Sequence, residues 1–244
     1  MNYFSRLILS FGLKFFKGVH DLDKYGGVTS GQKENLRPTV KILVVDDQDA
    51  ASLTTALSKF GYKNVTKLDE MPDDSVVQQY PIVITDVSGV GRDVQSNGLR
   101  LARHIKSAYP LKQIIIASGQ LMTGDYDADR DVLNLVDGVF IKGAPNDELA
   151  DLVEECLQRI YNPATVWRNI RKELLNVAGE KADVSIDNIA KYEDQYVRHF
   201  IELNQGKQIQ PNWIEMMIKT AKLAEPVIKL LAGIKGGAAL ATVV

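Results

Sequence analysis

Lys41-Ile-Leu-Val-Val-Asp-Asp47 is a short, β-branched apolar run that ends in two carboxylates. It is apolar at consecutive positions rather than at alternate ones, as a strand buried on both faces of a sheet is. Three later segments repeat the design: Ile82-Val-Ile-Thr-Asp86, Ile114-Ile-Ile-Ala-Ser118 and Gly138-Val-Phe-Ile-Lys142. Each run closes on a polar side chain at its C-terminal end. In an open parallel α/β sheet, ligands bind outside that edge. The pattern therefore gathers Asp46, Asp47, Asp86, Ser118 and Lys142 around one crevice.

Working outward, the elements alternate. Strands are expected over 41–45, 64–68, 82–86, 113–117 and 138–142. Helices are expected over 49–60, 98–108 and 146–161, with a short one within 126–136 and another after Pro72. This βα alternation predicts a five-stranded parallel, doubly wound sheet over residues 40–162. Right-handed crossovers leave few topologies for it.

The flanks read differently. Phe4, Leu7, Ile8, Phe11 and Phe15 recur at helical spacing, with Arg6, Lys14 and Lys17 on the other side, so residues 1–20 read as an amphipathic helix. Residues 21–39, with Gly26-Gly27, Gly31 and Pro38, read as a linker. Beyond Pro163 the strand signal ends. Residues 163–244 read as an all-helical output or oligomerisation region, with helices over 164–178, 185–204 and 211–235. Ile186, Ile189, Tyr192, Tyr196 and Phe200 make the stripe of the second.

Composition excludes several classes. The chain has 244 residues, 45% hydrophobic and 25% charged, with a formal net charge of −2, which is ordinary for a globular protein. Residues 41–163 carry 12 Lys and Arg against 19 Asp and Glu, so the middle is acidic. One cysteine, Cys156, rules out an intrachain disulfide, and its helical neighbours make it a small buried hydrophobe. His20, His104 and His199 have no metal-ligand spacing. Three basic residues interrupt the N-terminal apolar stretch, which argues against a signal peptide or a spanning helix. A cytoplasmic location is expected.

The chemistry of the crevice follows from its residue types. Three carboxylates close together raise one another's pKa unless a cation sits among them. Hard oxygen ligands suit Mg²⁺, which takes one or two carboxylates with water and phosphate oxygens. The Lys142 ammonium and the Ser118 hydroxyl would meet the same phosphoryl group from the other side. An Asp86 oxygen attacking phosphorus would give an acyl phosphate.

Together these residues resemble the receiver domain of two-component response regulators, of the chemotaxis-regulator kind, over residues 41–161. The resemblance implies that Asp46 and Asp47 bind Mg²⁺ and that Asp86 is the phospho-acceptor and a further ligand. Ser88 would add its backbone carbonyl to the metal. Ser118 matches the hydroxyl that turns toward the phosphoryl group, and Lys142 the lysine after the fifth strand. The family's partners are a sensor histidine kinase or a phosphotransfer protein. Its only catalysis is self-phosphorylation from a donor and autodephosphorylation, so no further enzyme is expected.

This chain also departs from that pattern. Gly143 stands where receivers carry proline after the lysine, with Pro145 two residues on. Val139 occupies the usual aromatic switch position, with Phe140 beside it. The segment from Val87 to Gly98 is longer than usual and lacks the common Met-Pro pair. A Gly-rich nucleotide loop there is disfavoured, because no Lys-Ser/Thr ending follows.

No helix-turn-helix or dense basic helix marks the C-terminal region, so DNA binding is disfavoured. The helical ends have three destinations: a protein partner, a second copy of the chain, or a membrane surface. The expected function is phosphorylation-dependent signalling through those ends. The competing reading is a phosphorylation-independent scaffold on a degenerate receiver fold, its acids serving as helix caps.

Overall fold

A computed structural model describes residues 30–72, 76–87, 98–109, 111–119 and 130–162, and beyond them 164–165, 167–168, 171, 193–194 and 197–198. The chain divides into two compact units. One is Val28–Gln158; the other comprises Met1–Gly27 and Arg159–Val244.

Among the described residues, five strands and five helices begin in the first unit. They are α1 (Ser30–Leu36), β1 (Ile42–Val45), α2 (Ala50–Lys59), β2 (Val65–Leu68), β3 (Ile82–Asp86), α3 (Gly98–Ala108), β4 (Gln113–Ser118), α4 (Arg130–Leu133), β5 (Gly138–Ile141) and α5 (Asn146–Tyr161). A 3₁₀ turn, Val76–Gln79, precedes β3. It supplies the short helix expected after Pro72.

The strands form one sheet in the order β2-β1-β3-β4-β5, and every pairing is parallel. This is the flavodoxin-like doubly wound arrangement, as the alternation predicts. The order reverses between β1 and β3. Their connections leave for opposite faces of the sheet, which opens a crevice beyond the carboxyl ends of those two strands.

Burial explains the continuous apolar runs. Every residue of β1, β3 and β4 is buried. One face gathers Leu43, Val45, Val83, Ile114 and Ile116 with Leu99, Ala102 and Ile105 of α3. The period of two sends Ile42, Val44, Ile82 and Ile84 to the other face, where all four are fully buried. Strands of four to six residues are too short to persist alone. Each buried Ile or Leu contributes about 1.5–3 kcal/mol, so packing rather than strand length holds the sheet centre. Cys156 is a buried thiol on α5, outside any disulfide, the small hydrophobe that its neighbours suggest.

Within the expected linker 21–39, Ser30–Leu36 is helical. Leu36 and Val40 are buried. Lys33 pairs with Glu154 of α5 at 2.8 Å, and Arg37 pairs with the same carboxylate. Seven residues with one apolar anchor leave no periodic stripe in the sequence, so tertiary contacts reveal this helix.

In the second unit, the described residues within 164–171 and 193–198 are helical. Trp167 Nε1 donates to Glu193 Oε2 at 2.5 Å, and Arg171 Nη1 lies 3.4 Å from the same oxygen. Trp167 and Glu193 are both fully buried. The expected helices at 1–20 and 211–235 lie outside the described residues. Among the described residues, no helix is long and apolar enough to cross a membrane.

Candidate functional site

Sheet register delivers the polar strand ends to one edge. Val45 pairs with Thr85, Asp86 with Ala117, and Ser118 with Ile141. The residues that leave β1, β3, β4 and β5 therefore stand side by side. Two backbone bonds secure the outer positions. The Asp46 amide donates to Leu68 O at 3.0 Å, and the Lys142 amide donates to Ser118 O at 2.7 Å.

Asp46, Asp47 and Asp86 each offer a carboxylate oxygen within 4.8 Å of the others. Asp46 is fully buried, Asp86 is buried and Asp47 is exposed. Asp46 Oδ1 accepts the amides of Gln48 at 2.9 Å and Asp49 at 2.7 Å, an arrangement that turns the chain into α2. Val87 donates its amide to Asp86 Oδ1 at 2.7 Å. In each buried acid, backbone donors engage Oδ1, and the ammonium engages Oδ2. Lys142 Nζ lies 2.7 Å from Asp46 Oδ2 and 3.1 Å from Asp86 Oδ2.

The electrostatics are those of a coupled cluster. Burial pushes the Asp46 carboxyl up, but the Asp49 amide, the Lys142 ammonium and the Gln48 amide outweigh it and hold it below the usual range. Burial raises the Asp86 carboxyl. Lys142 and the Val87 amide oppose that, the Asp46 charge adds to it, and the net direction is upward. Burial alone would lower the Lys142 pKa; its two acid partners reverse this and hold the proton more tightly.

The donor set fits a hard divalent cation. Three carboxylates face one ammonium, so the cluster keeps a negative balance. Lys142 meets Asp46 Oδ2 as an ion pair at 2.7 Å, and that buried oxygen takes no backbone hydrogen bond. A buried acceptor with spare capacity is what an oxygen-seeking cation requires.

Ser118 ends β4 and is 8% exposed, on the same edge as Lys142. Ser88, the expected carbonyl ligand, lies outside the described residues. Gly143 has φ +93°, and the Ala144 amide donates to Ile141 O at 3.0 Å. Lys142 thus sits on a tight turn whose third residue is left-handed, where glycine costs least. Val139 is 43% exposed while Phe140 is buried at 3%. The aromatic beside the switch position belongs to the core.

Sequence reasoning missed the support beneath Asp86. The Gly98 amide donates to Val87 O at 2.7 Å, and Thr85 Oγ1 donates to Asp86 O at 3.2 Å. Only the glycine at the head of an apolar-periodic helix hinted at a close approach there.

No protein-family profile and no curated relative matches the sequence. Solved structures similar to about half of the chain include response regulators and their receiver domains. A response regulator from Thermotoga maritima is 20% identical, with a TM-score of 0.39, over 49% of this chain and 98% of that one. A CheY-like receiver domain protein from Methanospirillum hungatei JF-1 is 19% identical, with a TM-score of 0.40, over 49% and 94%. RcsB from Salmonella enterica serovar Typhimurium, solved bound to the promoter rprA, is 19% identical, with a TM-score of 0.37, over 70% and 94%.

Proposed function

We propose that this chain is a phosphorylation-dependent signalling protein of the response-regulator type, with Asp86 as its phospho-acceptor. The observation that carries this reading is the Asp46–Lys142–Asp86 cluster with Asp47 at its rim, at the crevice where the strand order reverses. An Asp86 oxygen would use a lone pair to form an O–P bond. The bond from phosphorus to the donor's leaving group breaks, and that group takes the electron pair. The donor is a small acyl phosphate or phosphoramidate, or the phosphohistidine of a sensor kinase or phosphotransfer protein. Asp46, Asp47, Asp86 and the Ser88 carbonyl would hold Mg²⁺, which when bound offsets charge on the phosphoryl oxygens. Lys142 then holds one phosphoryl oxygen as a point charge, and the Ser118 hydroxyl donates to another. The same groups, with water, govern autodephosphorylation; no other catalysis is assigned.

Phosphorylation adds about −1.5 to −2 charge beside Lys142. The readers are the helical ends, acting on a protein partner, a second copy or a membrane surface from the cytoplasmic side. The test is Mg²⁺-dependent labelling by acetyl phosphate or phosphoramidate, followed by mass spectrometry. Wild type gains one phosphoryl group, and Asp86→Ala gains none. An unlabelled wild type under every donor overturns the reading.

One observation favours the scaffold alternative: position 139 carries an exposed valine, and the neighbouring Phe140 is held in the core. On that reading, partner or vesicle binding is unchanged by Asp86→Ala.

A further inference from the structure

We propose that Gly98 is a positioning residue for the acceptor Asp86, an inference that rests on the phospho-acceptor reading above. Gly98 opens α3, ten residues after Ser88 in sequence. A Cβ there would lie 1.6 Å from Asp86 O, 2.8 Å from Asp86 C and 3.0 Å from Thr85 Oγ1. The first two contacts are with backbone, which no rotamer change relieves. Any side chain at 98 therefore moves α3 or moves the acceptor.

Lack of a side chain also brings a donor into place. The Gly98 amide reaches Val87 O at 2.7 Å, and the Val87 amide holds Asp86 Oδ1 at 2.7 Å. α3 thus grips the residue that grips the acceptor. With Oδ1 committed to that amide, Oδ2 faces Lys142 at 3.1 Å and is the oxygen left to attack phosphorus. The two ends of the long segment 88–97 are joined at its neck by one backbone bond. The acceptor's aim therefore depends on the neck, at Val87 and Gly98, whatever the length of chain between them.

In-line attack is sensitive to such aim, and a misplacement of about 1 Å can cost about 100-fold in rate. The experiment compares Gly98→Ala with Gly138→Ala. Gly138 is a packing control remote from Asp86, where an added methyl would meet Leu152 Cδ2 at 3.0 Å. Both are labelled with acetyl phosphate and Mg²⁺ at a temperature where circular dichroism shows each folded. The expected result for Gly98→Ala is a maximal labelling rate lower by about 100-fold, with half-saturating donor concentration within about threefold of wild type. Gly138→Ala should label normally. Gly98→Ala labelling at the wild-type maximal rate, or Gly138→Ala losing as much, overturns the proposal.

Native-state amide exchange of wild type decides the matter if Gly98→Ala does not fold. The Val87 and Gly98 amides should exchange as slowly as those of β3, and exchange at exposed-loop rates overturns the proposal. If wild type takes no label, the phospho-acceptor reading falls, while amide exchange still reports on the neck.

Discussion

Buried charge lies at both ends of the same sheet, and the two ends handle it differently. At the carboxyl edge, Asp46 and Asp86 share the ammonium of Lys142, with Asp47 beside them. At the amino edge, Lys106 pairs with Asp137 at 2.5 Å, and Asp137 Oδ2 also accepts the Ile114 amide at 2.8 Å. Lys112, only 2% exposed, donates to the Gln78 carbonyl at 2.8 Å. The Lys106 ammonium donates to Lys112 O at 2.7 Å. One edge holds excess negative charge around a crevice; the other holds a lysine desolvated against backbone. On the proposed reading the first accepts a cation and an anion in turn, while the second closes the sheet's base.

The largest effect that would sharpen this contrast comes from Lys142→Met. Removing the ammonium leaves Asp46 and Asp86 buried against each other, a loss of about 3–5 kcal/mol without divalent cation. Chemical denaturation measures it, and millimolar Mg²⁺ should recover part of the loss. Unchanged stability without the cation would mean that the acids are not coupled through Lys142.

The amino edge has its own signature in pH. Burial pulls Lys112 down to about 8 from an ordinary 10.5. Between those values the unfolded chain binds the proton and the folded chain does not, so stability rises with pH across that window. Below pH 8 the folded state carries a charged, desolvated lysine that costs on the order of 3 kcal/mol. Lys112→Met should flatten the rise between pH 8 and 10 in denaturation measurements. A variant that follows wild type throughout would remove Lys112 as its cause.

The smallest effect returns to Asp86. Burial raises the Asp86 carboxyl, so the folded state holds its proton to higher pH than the unfolded chain does. Stability from this group is lost as pH climbs past the unfolded value, and at neutral pH the ionised acid is a burden. Asp86→Asn should therefore raise the melting temperature at pH 7, by about 1 kcal/mol in stability, with little gain at pH 3. A lower melting temperature at pH 7 would show that the ion pair with Lys142 outweighs desolvation.

Much of the first unit is legible in the sequence for one reason. Strands buried on both faces have to be apolar throughout, so β1, β3 and β4 stand out; β5 carries the same kind of apolar run although its Val139 and Ile141 are exposed. α3 and α5 are visible because a helix with one buried face repeats every three to four residues. α1 is not visible, because it holds on through Leu36 and two ion pairs to Glu154 rather than through a stripe. Lys112 and Asp137 are equally silent, since nothing local distinguishes a buried lysine from an exposed one.

The sequence by itself determined the sheet class, the order of its elements and the set of polar residues at the carboxyl edge. Periodicity and strand-end chemistry are local and survive without coordinates. Tertiary structure alone decided the strand order and the Oδ1–Oδ2 division of labour in the two buried acids. It alone decided the left-handed turn under Lys142 and the contact of Gly98 with the Asp86 carbonyl. Each depends on distances between atoms far apart in the chain, or on a backbone angle, and neither is written in the spacing of residue types.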